Sequence, residues 1–328
     1  MSRCTETAKP QISILMAIYE PRMDWLREQL LSLDAQTYPN LKLYIRDDCS
    51  PTVSFDEIRS CVQDCIRAFS YEIRRNEKNL GSNGTFELLT QEADGEYFAY
   101  CDQDDVWLPG KLEYLEKTIE REQALLVCSD MYIINETGKQ IASSMTKVRK
   151  NHIFHSGENL GSQLVFHNWV TGCTTLVSAH EAKSTLPFCP YMVHDHYLAL
   201  RCAEHGKIFC VEEPLVRYRI HGNNQTGVLS HVNNKEDYLE VRVIEVKRKL
   251  AWLTEHLACM TPELQETLST GTVWVKARES YLRNRKDADI VWKYRKYGPK
   301  AALFELFSPF MPKSLFLYVV NLARKNIL

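Results

Sequence analysis

Apolar positions along the chain alternate between two rhythms. Ile12–Tyr19 reads Ile-Ser-Ile-Leu-Met-Ala-Ile-Tyr, a nearly continuous apolar run that suits a strand buried on both faces of a parallel sheet. Over 22–36, Leu26, Leu30 and Leu33 recur at helical spacing, and Pro39-Asn40 marks a turn. Leu41–Arg46 alternates as a strand and runs into Asp47-Asp48. Phe55–Phe69 reads as a helix, Tyr71–Arg74 as a short strand and Gly81–Glu92 as a third helix. Tyr97–Cys101 is a second buried strand and ends in Asp102-Gln103-Asp104-Asp105. Lys111–Gln123 reads as a helix and Ala124–Cys128 as a strand. Alternation of this kind predicts an α/β fold on a doubly wound, mostly parallel sheet with helices on both faces. Ligands of such sheets bind beyond the carboxyl ends of the strands, where both acidic clusters fall.

Past Asn135 the rhythm loosens. Ser143–Leu164 is polar, contains His152 and His155, and reads as a loop. Val170–Val177 predicts a strand, His194–Glu204 a helix, and Lys207–Arg217 two short strands near Pro214. From about Asn233 the pattern is helical, most clearly over Tyr238–His256. The expected division is an α/β domain over 1–228 and a helical, basic segment over 229–328.

Composition changes this picture little: 45% hydrophobic and 25% charged residues in 328 are ordinary for a globular chain, and no repeat is present. The 11 cysteines contain no CxxC pair, and the N-terminus lacks the apolar stretch of a signal peptide, so free thiols in a reducing cytosol are expected. Charge is more informative. Residues 276–328 carry 12 Lys/Arg against 4 Asp/Glu, a net of +8 on a chain of net −2. Such a basic tail suits an anionic lipid surface or a nucleic acid. Its longest apolar run, Ser314–Ala323, is far short of the ~20 residues needed to span a bilayer.

Asp102-Gln-Asp-Asp is the strongest chemical signal. Its three carboxylates repel one another unless a cation or hydrogen-bond donors intervene, and hard oxygens suit Mg²⁺ or Mn²⁺ shared with substrate phosphates. A solvated acidic loop is the plain alternative, but a buried strand leads in and Trp107-Leu-Pro leads out. Asp47-Asp48-Cys49-Ser50 could accept from a base or a ribose, or simply cap the next helix. His194-Asp195-His196 offers a general base, or else a capped helix start. Tyr218-Arg219-Ile-His221-Gly-Asn-Asn-Gln225 gathers an imidazole for a metal and a guanidinium for phosphate, or forms a polar turn.

Taken in order, these segments resemble the inverting glycosyltransferase family 2, with its GT-A fold. The resemblance runs from about Ile12 to Asn224, through Gln36-Thr-Tyr-Pro-Asn40, Arg46-Asp-Asp-Cys-Ser50, Asn79-Leu-Gly81, Tyr100–Pro109, Val170-Thr-Gly-Cys-Thr174, His194-Asp195 and Tyr218-Arg-x-His221. It implies that Asp47 and Asp48 contact the nucleotide base and ribose, with Ala17, Tyr19, Glu20, Asn79 and Gly81 on the same donor side. Asp102 would approach the ribose, Asp104 would ligate a divalent cation (Mg²⁺ or Mn²⁺) and His221 would complete or adjoin that site. Asp195 would be the base that deprotonates the acceptor hydroxyl. Trp107, Gly172, Cys173, His194 and Arg219 would lie on the sugar and acceptor side. The resemblance further implies a nucleotide-sugar donor, a glycan or lipid-linked glycan acceptor, no nucleic-acid partner and a cytoplasmic enzyme.

Within the family the motifs look most like bacterial rhamnosyltransferases of polysaccharide assembly. The donor is thus expected to be dTDP-rhamnose or a UDP-hexose. Two rivals accompany this reading. Asp102-Gln-Asp-Asp-Val also fits an aspartate phosphohydrolase, although that chemistry usually has its aspartate on the first strand. A non-catalytic nucleotide-sugar-binding module is the other, against which Asp195 argues. For 276–328, aromatic and basic residues interleave, which suits peripheral contact with an anionic membrane, or equally a helical cap or oligomer contact.

Overall fold

The structure, a computed structural model, describes residues 9–149, 152–222, 229, 232–257 and 260–324. It divides into two compact units. The first runs to Leu160 and includes Trp169–Phe188 and Val193–His221; the second is Gly161–Asn168, Cys189–Met192 and Gly222–Leu328. Val228, where the sequence suggests a boundary, lies outside the described residues.

The first unit is built on a nine-stranded sheet: β1 (Ile12–Ile18), β2 (Leu41–Asp47), β3 (Ser70–Arg75), β4 (Tyr97–Cys101), β5 (Val106–Trp107), β6 (Leu126–Ile134), β7 (Gln140–Ala142), β8 (Thr175–Ser178) and β9 (Ile208–Arg219). Their spatial order is β3-β2-β1-β4-β8-β6-β9-β5, with β7 paired to β6. The family-like α/β fold is thus present. Its first half is parallel, β1 pairing with both β2 and β4 and β2 with β3. Beyond β4 the sheet is mixed: β8 runs antiparallel to β4 and β6, whereas β6 and β9 are parallel.

The apolar run of β1 is almost wholly buried, as its lack of alternation requires. Helices α1 (Met23–Asp34), α2 (Phe55–Cys65), α3 (Gly81–Glu92) and α4 (Lys111–Glu122) flank the sheet. Leu26, Leu30 and Leu33 of α1 are fully buried, contributing on the order of 1.5–3 kcal/mol each. Ser54 caps α2 by accepting from Glu57 N at 3.1 Å, and the helix ends at Cys65, short of Phe69. Because β1, β2 and β4 share direction and register (Ile18 beside Asp47, Met16 beside Cys101), their carboxyl ends deliver Tyr19, Asp47-Asp48 and Asp102 to one edge.

Three segments differ from expectation. Gly172–Thr174 is a 3-10 turn and only Thr175–Ser178 is strand, so the strand expected over Val170–Val177 is half as long. Lys207–Arg217 is not two strands but part of one, β9, with a bulge: it takes five steps from Val211 to Val216 while β6 takes two from Ser129 to Met131. Pro214, which has no N–H to give a ladder, sits in that bulge. The polar stretch 143–164 contains two short helices, Met145–Val148 and Gly161–Leu164.

The second unit is helical. Thr261 caps the helix Pro262–Asn284 by accepting from Leu264 N, and Pro262 occupies its first turn. Val232, Tyr238, Phe316 and Val320 form one small core, and Ala277, Tyr281, Val291 and Ala302 another. Arg278 and Glu305 make a buried ion pair, and Glu305 also accepts from Tyr238 Oη at 2.8 Å. No helix among the described residues is long and apolar enough to cross a membrane. The nine described cysteines are free; Cys4 and Cys259 lie outside the described residues.

Candidate active site

The acidic turn leaves β4 at Cys101 and is fastened by the end of β9. Arg219 N donates to Asp105 Oδ1 (2.9 Å) and its Nε to the Asp104 carbonyl (2.8 Å), while Nη2 pairs with Glu28 of α1. Arg219 is 1% exposed, and this guanidinium braces the turn from within the protein, not from a sugar-facing wall. Two residues on, His221 Nε2 donates to Asp104 Oδ2 at 2.7 Å, its ring packed on Trp25 at 4.9 Å. Asp104 and His221, which the resemblance puts at one cation site, are thus in direct contact. Gln103 exchanges hydrogen bonds with the backbone of Tyr19, accepting from its N–H (2.8 Å) and donating to its carbonyl (3.0 Å).

Burial, then the charges of Asp104 and Asp195, push the Asp102 carboxyl up to about 7. Asp105 is likewise raised, by burial and by its two acidic neighbours. This mutual repulsion is an electrostatic deficit of the kind a divalent cation relieves. Ligand atoms of Asp102, Asp105 and Cys173 lie within 4.8 Å of one another. Burial holds the Cys173 thiol protonated, and Asp105 accepts from Arg219 N through Oδ1 while its Oδ2 is buried with no hydrogen-bond partner among the described residues, so the carboxylates are the hard-oxygen donors of this group.

Asp47 and Asp48, at the end of β2, are both buried. Asp47 accepts from Ser50 N and Oγ (3.2 and 2.6 Å) and pairs with Arg75 at 3.3 Å. Asp48 accepts from Asn76 Nδ2 (2.8 Å), Leu80 N (2.7 Å) and Gly81 N (2.8 Å), which ties the start of α3 to β2. Gly81 has φ +72°, a left-handed conformation that glycine adopts without strain, and Asn79 Oδ1 accepts from the same Gly81 N–H. Glu20 accepts from Thr52 N, Thr52 Oγ1 and Val53 N, which brings its carboxyl below the usual range. Tyr19 is exposed and Ala17 partly so. Of the expected donor-side residues, then, Asp47, Asp48 and Glu20 shape the loops, and Ala17, Tyr19, Asn79 and Gly81 are the more open positions.

On the other side, Asp195 opens the helix His194–His205, and its Oδ2 accepts from Gly172 N at 2.9 Å. Gly172 is required: a Cβ there would stand 2.9 Å from His194 Nε2 and 3.6 Å from Asp195 Cβ. His194 is buried against Phe86 and Tyr100, which lowers its imidazole pKa to about 3 and keeps it neutral. Trp107, 1% exposed, and Cys173, fully buried, are also framework groups and not cleft walls.

One charged neighbour of the acidic turn escapes sequence reading. Lys111 is fully buried, donates to the Cys173 carbonyl at 2.6 Å and stands over the Trp107 ring at 2.9 Å from its centroid. Burial draws its pKa down to about 7, opposed by the nearby carboxylates of Asp105 and Asp102. Two signals were available: a cation in the first turn of α4 opposes the helix dipole, and Lys111 lies one turn before Leu115 on the core face.

Comparison with known proteins agrees with this fold. An uncharacterized glycosyltransferase of Haemophilus influenzae is 27% identical over 236 residues, 69% of this chain and 70% of its own length. Two solved structures share the fold. S. aureus TarS (residues 1–349, with UDP-GlcNAc) has TM-score 0.59 and 14% identity over 96% of this chain and 92% of that one. The Pyrobaculum calidifontis mannosyltransferase PcManGT, with GDP-Man and Mn²⁺, has TM-score 0.58 and 13% identity over 98% and 87%. Residues 13–182 match the family described as glycosyl transferase family 2, and the chain belongs to that family of glycosyltransferases.

Proposed function

We propose that this enzyme transfers a sugar from a nucleoside diphosphate donor, dTDP-rhamnose or a UDP-hexose, to a glycan or lipid-linked glycan acceptor, with inversion at the anomeric carbon. The observation that carries the reading is the meeting of Asp102, Asp104 and Asp105 with an Asp195 carboxylate aimed by the Gly172 N–H. Asp195 takes the proton of the acceptor hydroxyl as the hydroxyl attacks. The Gly172 N–H holds that base, Lys111 holds the Cys173 carbonyl one residue on, and Arg219 holds the acidic turn. Asp102 and Asp104, with His221, would hold a divalent cation, which supplies neutralisation of the charge on the departing diphosphate. The neighbouring structures carrying UDP-GlcNAc, and GDP-Man with Mn²⁺, support a donor and a cation of these classes. The proposed setting is cytoplasmic, with 1–228 as catalytic domain.

The test is thermal stabilisation by dTDP, UDP and GDP with Mn²⁺, Mg²⁺ or EDTA, followed by transfer assays with the donor so chosen. Wild type is expected to gain melting temperature only with nucleotide and metal together. Asp104→Ala loses that gain. Asp195→Asn keeps it while transfer falls by about 10²–10⁴-fold. A protein that responds to no nucleotide under any condition defeats the reading; one that binds without turnover is a binding module.

A further inference from the structure

We infer that the second unit carries a docking face for anionic lipid bilayers, formed by the helices Pro299–Phe307 and Lys313–Arg324 and the 3-10 turn between them. The aromatic residues of this segment fall into two sets. Phe304 and Phe316 turn inward and pack with Tyr238 (ring centroids 5.2 and 6.1 Å). Phe307 and Phe310 do the reverse, being 58% and 75% exposed. In the first helix Lys300, Leu303 and Phe307 follow one another at i, i+3 and i+7, hence along one exposed face. In the last helix Phe316 and Val320 are buried, whereas Leu315 and Tyr318 stand exposed on a face of their own. Each helix thus has one apolar face inside the unit's core and a second that no described residue covers.

Charge selects the occupant. From Ile290 to Arg324 the acidic residues reduce to Glu305, which is fully buried and neutralised by Arg278. Against it stand Lys293, Arg295, Lys296, Lys300, Lys313 and Arg324. The solvent-facing part of the segment is therefore apolar and cationic with no exposed carboxylate. A second copy of the chain would set these cations against each other, whereas an anionic lipid surface matches both the charge and the apolar groups. Phe and Trp beside Lys and Arg is the composition of the bilayer interface, where rings enter the headgroup region and cations meet phosphate. The inference bears on the lipid-linked acceptor in the proposed function but stands on residues outside the candidate active site.

The experiment is sedimentation of the full chain with vesicles of phosphatidylcholine alone or mixed with phosphatidylglycerol, at low and high salt. Binding is expected to mixed vesicles only, and to weaken with salt. Replacing Lys293, Lys296 and Lys300 by Gln should weaken it roughly a hundredfold, at ~1 kcal/mol per charge. Phe307→Ser with Phe310→Ser should weaken it about tenfold or more while leaving the salt dependence in place. All substituted side chains are exposed, and the nucleotide-dependent thermal shift reports folding and the active site separately. Absence of binding to mixed vesicles while that shift is retained overturns the inference and leaves the proposed function untouched. So does vesicle binding that both variants retain, or concentration-dependent dimerisation that the Phe variant abolishes without any lipid effect.

Discussion

At the scale of single residues, the turn Gly172–Thr174 is where packing and chemistry meet. Its glycine is required by contact distance and not by φ: the space a methyl would take belongs to His194 Nε2, with Asp195 Cβ in ordinary contact beside it. Gly172→Ala is expected to displace the His194 ring and, through the shared helix start, shift the neighbouring Asp195, lowering kcat by about tenfold to a hundredfold with little change in donor KM, because small misplacements of a catalytic group are costly. Gly110→Ala, where an added Cβ meets nothing within 4 Å, is the matched control and should leave steady-state kinetics unaltered. Equal kinetics for the two variants would show that the turn does not position the base. Residue identity at this site was legible before the fold, since acidic residues after buried strands are conspicuous. What each side chain touches was not. Arg219 meets Glu28 across 191 positions and Asp104 meets His221 across 117, separations that no local pattern encodes.

At the scale of elements, legibility followed length and rhythm. β1, β4 and α3 came out of the pattern within a residue or so because an unbroken apolar run or a helical stripe has one low-energy reading. β5 spans two residues, too few to show any period, and β9 hid behind its bulge. Helices of the second unit were visible, but not the ion pair inside them. Arg278 and Glu305 are 3% and 0% exposed, and removing one partner strands a buried charge. Glu305→Leu is therefore expected to destabilise by about 3–5 kcal/mol in urea denaturation, and Arg278→Met/Glu305→Leu by much less. Additive losses in the double variant would contradict a coupled pair.

For the whole molecule, stability should depend jointly on pH and on cation. Asp102 titrates near 7 in the folded chain against 3.8 as a free group, so the folded state binds the extra proton between those values. By linkage, folding loses stability as pH rises from about 4 to 7 through this group, and does so because Asp102 is buried, with Asp104 and Asp195 close. A cation replaces that proton. With nucleotide present, the melting-temperature gain from Mn²⁺ is thus expected to be small near pH 5 and larger near pH 7.5; ~1 kcal/mol corresponds to about 2–4 °C in domains of 150–250 residues. A pH-independent gain would place the ion elsewhere. Charge at this scale was also legible early: the basic tail stands out in a simple count, whereas its partition into buried and uncovered aromatics needed the fold.

The bulge in β9 has a consequence of its own. Three additional residues sit between the part of the strand that pairs with Ser129 and the part that pairs with Met131. They act as a spacer that sets how far the strand reaches, and so which residues arrive at the acidic turn. With an even ladder, Val216 would stand opposite Ile134, where Arg219 now stands. The placement of Arg219 at the acidic turn is therefore gauged by a peptide length elsewhere in the strand. Relatives that differ in the Glu212-Glu213-Pro214 stretch could redirect their sites while keeping every site residue.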